Sequence, residues 1–300
     1  MKINISIILL LISTLIWGFG FVAAKMGLER FDAYWSVALR FLIAGILGLP
    51  LLIFKYRTFT DRHAPLKEGV IAGSLLFGML LFQTIGIGET TIAKSGFFTT
   101  LYTLFVPLIM IFYQKKKLHW GFGPLILMAM IGVMMLCHFN LSQFNRGDLM
   151  IVICSIFASL HIIYIGEKAN AVRSAIEFNF IQNVAVGVFA TLFAIVKVGT
   201  VDFTPLLDYQ SDAFLGLAFL AIISSMFAFT IQVVAQRNTP PHIASLIFLL
   251  ESPFAALFGF FIYDERLSKM GIMGAVLIFA SVSIVPLLEQ IIEDNGEQIS

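Results

Sequence analysis

The stretch PPHIASLIFLLESPFAALFGFFIYDERL, Pro240 to Leu267, decides how the chain is read. It opens on a proline pair and runs on as an apolar helix. One acid, Glu251, lies deep inside it, and Asp264-Glu265-Arg266 closes it. About 20 consecutive apolar residues span a bilayer, and a soluble core helix has no need of so long a run. An ionisable group inside a span is costly, which makes Glu251 a functional candidate by default.

The stretch has a partner earlier in the chain, KSGFFTTLYTLFVPLIMIFY, Lys94 to Tyr113. Setting Pro107 on Pro253 places Thr99 on Ser245, Tyr102 on Phe248 and Phe105 on Glu251. Each stretch is followed by a short charged hinge and a glycine-containing apolar run. These runs are Leu118–Leu136 with Gly121 and Gly132, and Leu267–Val285 with Gly271 and Gly274. In this alignment the first copy reaches its hinge sooner than the second. The shared order of helix, hinge and helix predicts a duplication.

Composition agrees with a lipid environment. Of the 300 residues 59% are hydrophobic and 12% charged, about half the charge of a soluble chain. The formal net charge of +1 gives no general attraction to nucleic acid. The two cysteines, Cys137 and Cys154, lie in or beside predicted spans and form no C-x-x-C metal or redox pattern. The N-terminus, MKINISIILLLISTLIWGFGFVAAK, has a signal-like lysine and apolar run but lacks a small-x-small cleavage site. It is read as the first span, retained.

Apolar runs between charged or turn-forming loops predict ten spans, at 4–24, 34–54, 68–88, 92–113, 119–138, 148–166, 176–197, 213–235, 241–262 and 269–288. No loop is long enough to fold as a soluble domain, so function must lie in the bundle. Backbone hydrogen bonding in lipid allows helices or closed barrels, and these runs are too apolar to alternate as barrel strands. The expected fold class is an all-α integral membrane protein of ten transmembrane helices in two inverted five-helix repeats. The repeats are placed at 1–140 and 141–290, with a polar cytoplasmic tail at 291–300.

Orientation follows from basic residues in short loops. With the N-terminus inside, eleven Lys and Arg fall in inner loops, among them Lys55, Arg57 and Lys115-Lys116-Lys117, against seven in outer ones. The Val198–Asp212 loop, expected outside, carries Asp202, Asp208 and Asp212 but no base. Both termini are therefore expected in the cytoplasm. Five spans per half then invert one half relative to the other, a common transporter plan with the substrate site near the midplane.

Several local patterns now combine. The first half has Trp17-Gly18-Phe19-Gly20-Phe21-Val22 with Lys25, then Arg40 early in span two, Ala93-Lys94-Ser95-Gly96 opening span four, and Pro107. The second has Gly147-Asp148 opening span six, Gln182 in span seven, the Pro253 helix and Glu265-Arg266-Leu267-Ser268 before span ten. Over essentially its whole length the chain resembles the EamA-type branch of the drug/metabolite transporter superfamily. It departs from the pattern at Lys115-Lys116-Lys117, where an acidic hinge is usual. The resemblance implies a ten-helix, two-repeat carrier without cofactor, not an enzyme, in a bacterial cytoplasmic (inner) membrane. Such carriers move amino acids and other small metabolites, drugs, sugars or quaternary amines, often outward, a range too wide to be inherited here.

The residues nominate a substrate site. Glu251 at midspan must be neutral, paired or hydrated; it is suited to a cationic substrate or a transported proton, or else closes a contact between helices. His161 and Tyr164 share one face of span six, as a proton-responsive group and an aromatic wall or as interhelical glue. Thr99, Tyr102 and Thr103 form a polar stripe in span four. Gln83 and Gln232, in spans three and eight, can orient a polar substrate without the cost of a charge. Trp17 can stack on one. The expected substrate-binding set is Trp17, Gln83, Thr99, Tyr102, His161, Tyr164, Gln232, Phe248 and Glu251, with no catalytic residue and no metal ligand.

Arg40 is expected near the outer surface, pairing with carbonyls or with Glu29 or Asp32. Gly69 and Gly73 form a GxxxG, a close-packing sign. The expected partners are a small-molecule substrate, membrane lipid and protons, with no nucleic acid and no required oligomer. An intramembrane enzyme would need a constellation such as H-E-x-x-H, and none is evident, with His138, His161 and Glu251 the nearest ingredients. A channel would repeat a polar filter or charged ring, and none is seen.

Overall fold

The computed structural model describes residues 5–58, 65–116, 118–136, 144–266 and 268–294, and among these every regular element is helical. Cys137, His138, Lys117 and the end of the expected tail, 295–300, lie outside the described residues. Helix α1 is Ile5–Leu28, α2 Ala33–Thr58, α3 Leu66–Glu89, α4 Ile92–Thr99, α5 Tyr102–Phe112 and α6 Phe122–Leu136. The second half contains α7 (Arg146–Lys168), α8 (Ala175–Lys197), α9 (Asp212–Phe219), a π-helical stretch Leu220–Ala228 that runs into α10 (Phe229–Ala235), α11 (Pro241–Phe248), α12 (Glu251–Tyr263) and α13 (Lys269–Asp294). Nine described spans are long and apolar enough to cross a membrane, and Phe122–Leu136 is a shorter apolar helix. The ten spans expected from apolar runs are therefore all helical, and α13 reaches four residues into the expected tail, to Asp294.

Spans four and nine are each broken near their middle. Half-helices α4 and α11 have eight residues each. Thr100-Leu101 and Leu249-Leu250 follow, where the backbone tightens to three-residue hydrogen bonds such as Leu101 N to Phe98 O and Leu250 N to Ile247 O. Helices α5 and α12 then start on Tyr102 and Glu251. A residue with positive φ follows each, Lys115 at 56° three residues beyond α5 and Asp264 at 51° directly after α12. The next amide reaches back across the turn, Lys116 N to Met110 O and Glu265 N to Gly259 O, a left-handed helix stop.

One register therefore matches Ile92 to Pro241, Tyr102 to Glu251 and Lys115 to Asp264. It differs from the register obtained by setting Pro107 on Pro253. The prolines mislead because they do different work. Pro253 lies in the first turn of α12, where a missing N–H costs little, whereas Pro107 lies within α5. In the structural register both hinges are reached in step, and the partner of Glu251 is Tyr102 rather than Phe105.

Glycines let the two halves close on each other. Gly132 of α6 and Gly274 of α13 meet backbone to backbone, so that a Cβ on Gly132 would lie 2.7 Å from the Gly274 carbonyl oxygen. The Gly69/Gly73 face of α3 packs on Ile181 and Ala185 of α8, where Cβ atoms would come within 2.6 and 2.7 Å of side-chain carbons. Small residues at such seams replace the hydrophobic drive that is missing between helices in lipid. The lipid side carries exposed Leu, Ile and Phe such as Ile46, Leu192, Val196, Phe261 and Val276.

Candidate functional site

The broken helices cross at the centre of the bundle. The Tyr102 hydroxyl donates to Glu251 Oε2 at 3.2 Å, so the first residues of α5 and α12 meet across the interface between repeats. On either side lie contacts that exchange under the repeat: the Thr103 hydroxyl donates to the Ser245 carbonyl at 3.0 Å, and Gly96 abuts Ser252, where a Cβ would be 3.3 Å from Cα. A pseudo-two-fold axis through the Tyr102–Glu251 pair accounts for all three.

Two small cavities flank Glu251. The first is lined by Trp17, Arg40, Met79, Gln83, Ser224, Phe229 and Glu251, among others; the second by Trp17, Tyr102, His161, Gln232, Phe248 and Glu251, among others. Each has a volume of about 20 Å³, room for roughly one water. Larger hollows of about 380, 470 and 510 Å³ have mostly apolar linings, with residues such as Phe180, Leu192 and Ile247. We assign the site to the small central pair, because buried polar groups from both repeats converge there, whereas lipid chains suit the larger hollows. At this volume the centre accommodates solvent.

Seven of the nine nominated residues line this centre. Trp17 packs edge and face against Phe229 and Phe248, with ring centroids 5.0 Å away in both cases. Its buried indole N–H has no hydrogen-bond partner among the described residues, nor has the side-chain oxygen of Gln232. Gln232 donates to Gln236 at 2.9 Å, and Gln236 in turn to the Ile162 carbonyl at 3.0 Å. His161 Nε2 donates to Gln182 Oε1 at 2.9 Å, and Gln182 donates to Asn179 at 3.0 Å. Thr99 stands behind the wall and accepts from Gln83 Nε2 at 3.3 Å. Tyr164 lies apart. It is half-buried against the Ala72, Val172 and Val233 cluster with Lys168 Nζ 6.0 Å from its ring, so one helix turn separates it from the His161 environment.

Sequence reasoning missed Arg40 as a member of the centre. Arg40 is buried, and its Nε and Nη2 donate to Ser225 Oγ at 2.7 Å and Ser224 Oγ at 2.8 Å. Neither Glu29 nor Asp32 holds it: Glu29 accepts from Tyr263 at 3.3 Å, and Asp32 caps α2 through the amides of Tyr34 and Trp35. The signal that could have found its partners is Asn179, Gln182 and Asn183, at helical spacing in span seven. Asn179 and Asn183 tie down the π-helical stretch through the Ser225 carbonyl, at 2.9 and 3.1 Å.

The two ends of the site are held differently. At one end Glu265 accepts from the Ile92 and Ala93 amides, both at 3.2 Å, and pairs with Lys25 at 3.4 Å. Beside it the fully buried Asp148 accepts from Thr90 at 2.7 Å and from Lys94 at 3.3 Å. Both acids belong to the second repeat and both grip α4 of the first. At the other end α11 begins on Pro241, with His242 buried edge-on to Phe122 at 4.8 Å.

Comparison with known proteins decides the family. The EamA-like transporter family model matches twice, over residues 4–137 and 145–286. The chain belongs to the EamA-like transporter family. An uncharacterized transporter of Archaeoglobus fulgidus is 28% identical over 273 residues, which cover 91% of this chain and 83% of that protein. The uncharacterized inner membrane transporter YedA of Escherichia coli K12 is 26% identical, covering 95% and 94%. A biotin transporter of Salmonella typhimurium is 26% identical over 126 residues, 41% of each chain. A crystal structure at 18% identity covers 96% of this chain and 98% of its own with a TM-score of 0.72, a likeness of fold. This EamA-like chain is an integral membrane protein and a transporter.

Proposed function

We propose that the chain is a secondary transporter that exports a small polar or amphipathic metabolite, an amino acid or related amine, or a drug, by alternating access through the central cavity. The observation that carries this reading is the convergence on Glu251 of two half-helix starts, one from each repeat, beside aromatic walls and unpartnered polar atoms. Discontinuous helices at the midplane are how inverted-repeat carriers present helix ends to a substrate. In this reading Trp17 and Phe248 cover the apolar part of the substrate, Gln83, Gln232 and His161 orient its polar part, and Glu251 takes a cationic group or a proton. The three-residue turns at Thr100-Leu101 and Leu249-Leu250 are the flexing points.

The reading places both termini in the cytoplasm of a bacterial inner membrane, with one chain sufficient for transport. The basic hinge at Lys115 and Lys116 supports it, and the Glu265 end then faces outward. Reconstitution into liposomes tests the reading through counterflow of labelled amino acids and amines. Wild-type protein is expected to show saturable uptake, and Glu251→Gln is expected to fold normally but lose its pH-dependence or its affinity for amine-bearing substrates. Unchanged affinity, rate and pH profile in Glu251→Gln would return Glu251 to a structural role and pass the functional weight to His161.

A further inference from the structure

Arg40 is the sole buried lysine or arginine among the described residues. Its guanidinium is a cation, and a lone charge within a span is costly. Yet among the described residues its hydrogen-bond acceptors are two neutral hydroxyls, no carboxylate lies within ion-pair distance, and no hydrogen bond is made from Nη1. The support is rigid, because the π-helical stretch that supplies Ser224 and Ser225 is tied down by Asn179 and Asn183. Arg40 is therefore built to hold a charge in place with one edge unused.

Arg40 lines the first cavity beside Glu251. Its lining brings together two groups that donate, the Arg40 guanidinium and the Trp17 indole, whose N–H has no partner among the described residues, and one that accepts, the Glu251 carboxyl group. A plain amine would engage Glu251 and leave the charge on Arg40 uncompensated. A dianionic phosphate would find a single guanidinium and no second base. A zwitterion answers both sides and adds no net charge to the membrane core. Resting on the central-cavity reading above, we propose that Arg40, carried by Ser224 and Ser225, is the receptor for a carboxylate on the transported molecule. It makes the site selective for zwitterions over amines.

The experiment measures ligand-dependent thermal stabilisation of the purified full-length protein, since binding to the folded state raises its melting temperature by mass action. The probes are leucine and 4-aminobutanoate, each beside its amide, its decarboxylated amine and its deaminated acid. Wild-type protein is expected to respond to a zwitterion at a concentration at least tenfold below that needed for the matched amide or amine. Arg40→Gln should erase that preference, and Arg40→Lys should keep part of it.

Equal response to zwitterion and amine in the wild type, a preserved preference in Arg40→Gln, or no response to any probe overturns the proposal. If Arg40→Gln does not yield folded protein, Ser224→Ala carries the test. It should lower the zwitterion-to-amine response ratio several-fold, and an unchanged ratio overturns the role of Arg40. The two readings fail separately. Binding that Glu251→Gln abolishes, with a zwitterion preference that Arg40→Gln leaves intact, keeps the central site standing and removes the carboxylate receptor, whereas indifference of all binding to both variants removes the site itself.

Discussion

The two broken helices follow one backbone plan and are fastened in opposite ways. Helices α4 and α11 share their length, their interruption and the left-handed stop that follows, yet Glu265 on one hinge is Lys116 on the other. The acid satisfies two amides at the start of α4. At the matching start of α11 the first amide does not exist, because the residue is Pro241. A proline at the first helical position is pre-set for the helix and requires no cap. The lesson is that a duplicated fold can be closed at one end by exchangeable polar contacts and at the other by covalent stiffness and apolar packing. Only the first kind of closure responds to charge and salt.

The largest effect is expected where the polar fastening is most buried. Asp148→Ala removes the partner of Lys94 and Thr90 together with the carboxylate that accepts from the Asn145 amide in the α7 capping box, and should cost about 3–5 kcal/mol, the range for breaking a buried pair. Thermal unfolding in detergent reads this, and a loss under about 1 kcal/mol, the value of an exposed pair, would place Asp148 outside the fastening. Glu265→Gln comes next, since it keeps the shape but trades charge-assisted acceptance for neutral. A loss of about 1–2 kcal/mol follows from the difference between the two kinds of hydrogen bond. Part of the wild type's margin should vanish in 1 M salt, because Lys25 and Glu265 are 32% and 19% exposed. A salt-independent margin would contradict that.

The smallest effect sharpens the comparison at the other end. Lys116→Glu places an acid where the repeat would have one, near the start of α11. With no amide on Pro241 to accept from, the gain should be limited to the helix-dipole contribution of about 0.3–1 kcal/mol. A gain as large as the Glu265→Gln loss would show that the proline end is capped by charge after all.

Much of this was legible in the chain. Ten apolar runs became helices, and the partnership of spans four and nine emerged from their shared order of helix, hinge and helix. The register was not legible, because Pro107 and Pro253 are the most conspicuous matching residues and occupy different helical positions. The centre was legible where burial is expensive: Glu251, Gln83, Gln232 and His161 stand out as polar residues in apolar runs. Tyr164 was over-read, since helical spacing puts it on the His161 face but its phenol snorkels toward Lys168 near the helix end. Arg40 was under-read for a related reason. Its distance from the start of span two suggested a surface pair, whereas its partners are Ser224 and Ser225, two residues too ordinary in spans to draw notice.

Spin-label distances across both ends test most directly the claim that the two ends are fastened by different physics. One pair joins Thr91 to Asp264 at the acid-fastened end, and the other joins Tyr113 to Glu167 at the proline end. The prediction is that Glu265→Gln lengthens and broadens the first distance in detergent or nanodisc while the second stays short and narrow. If both distances lengthen together, or neither moves, the ends are not independently fastened and the account fails.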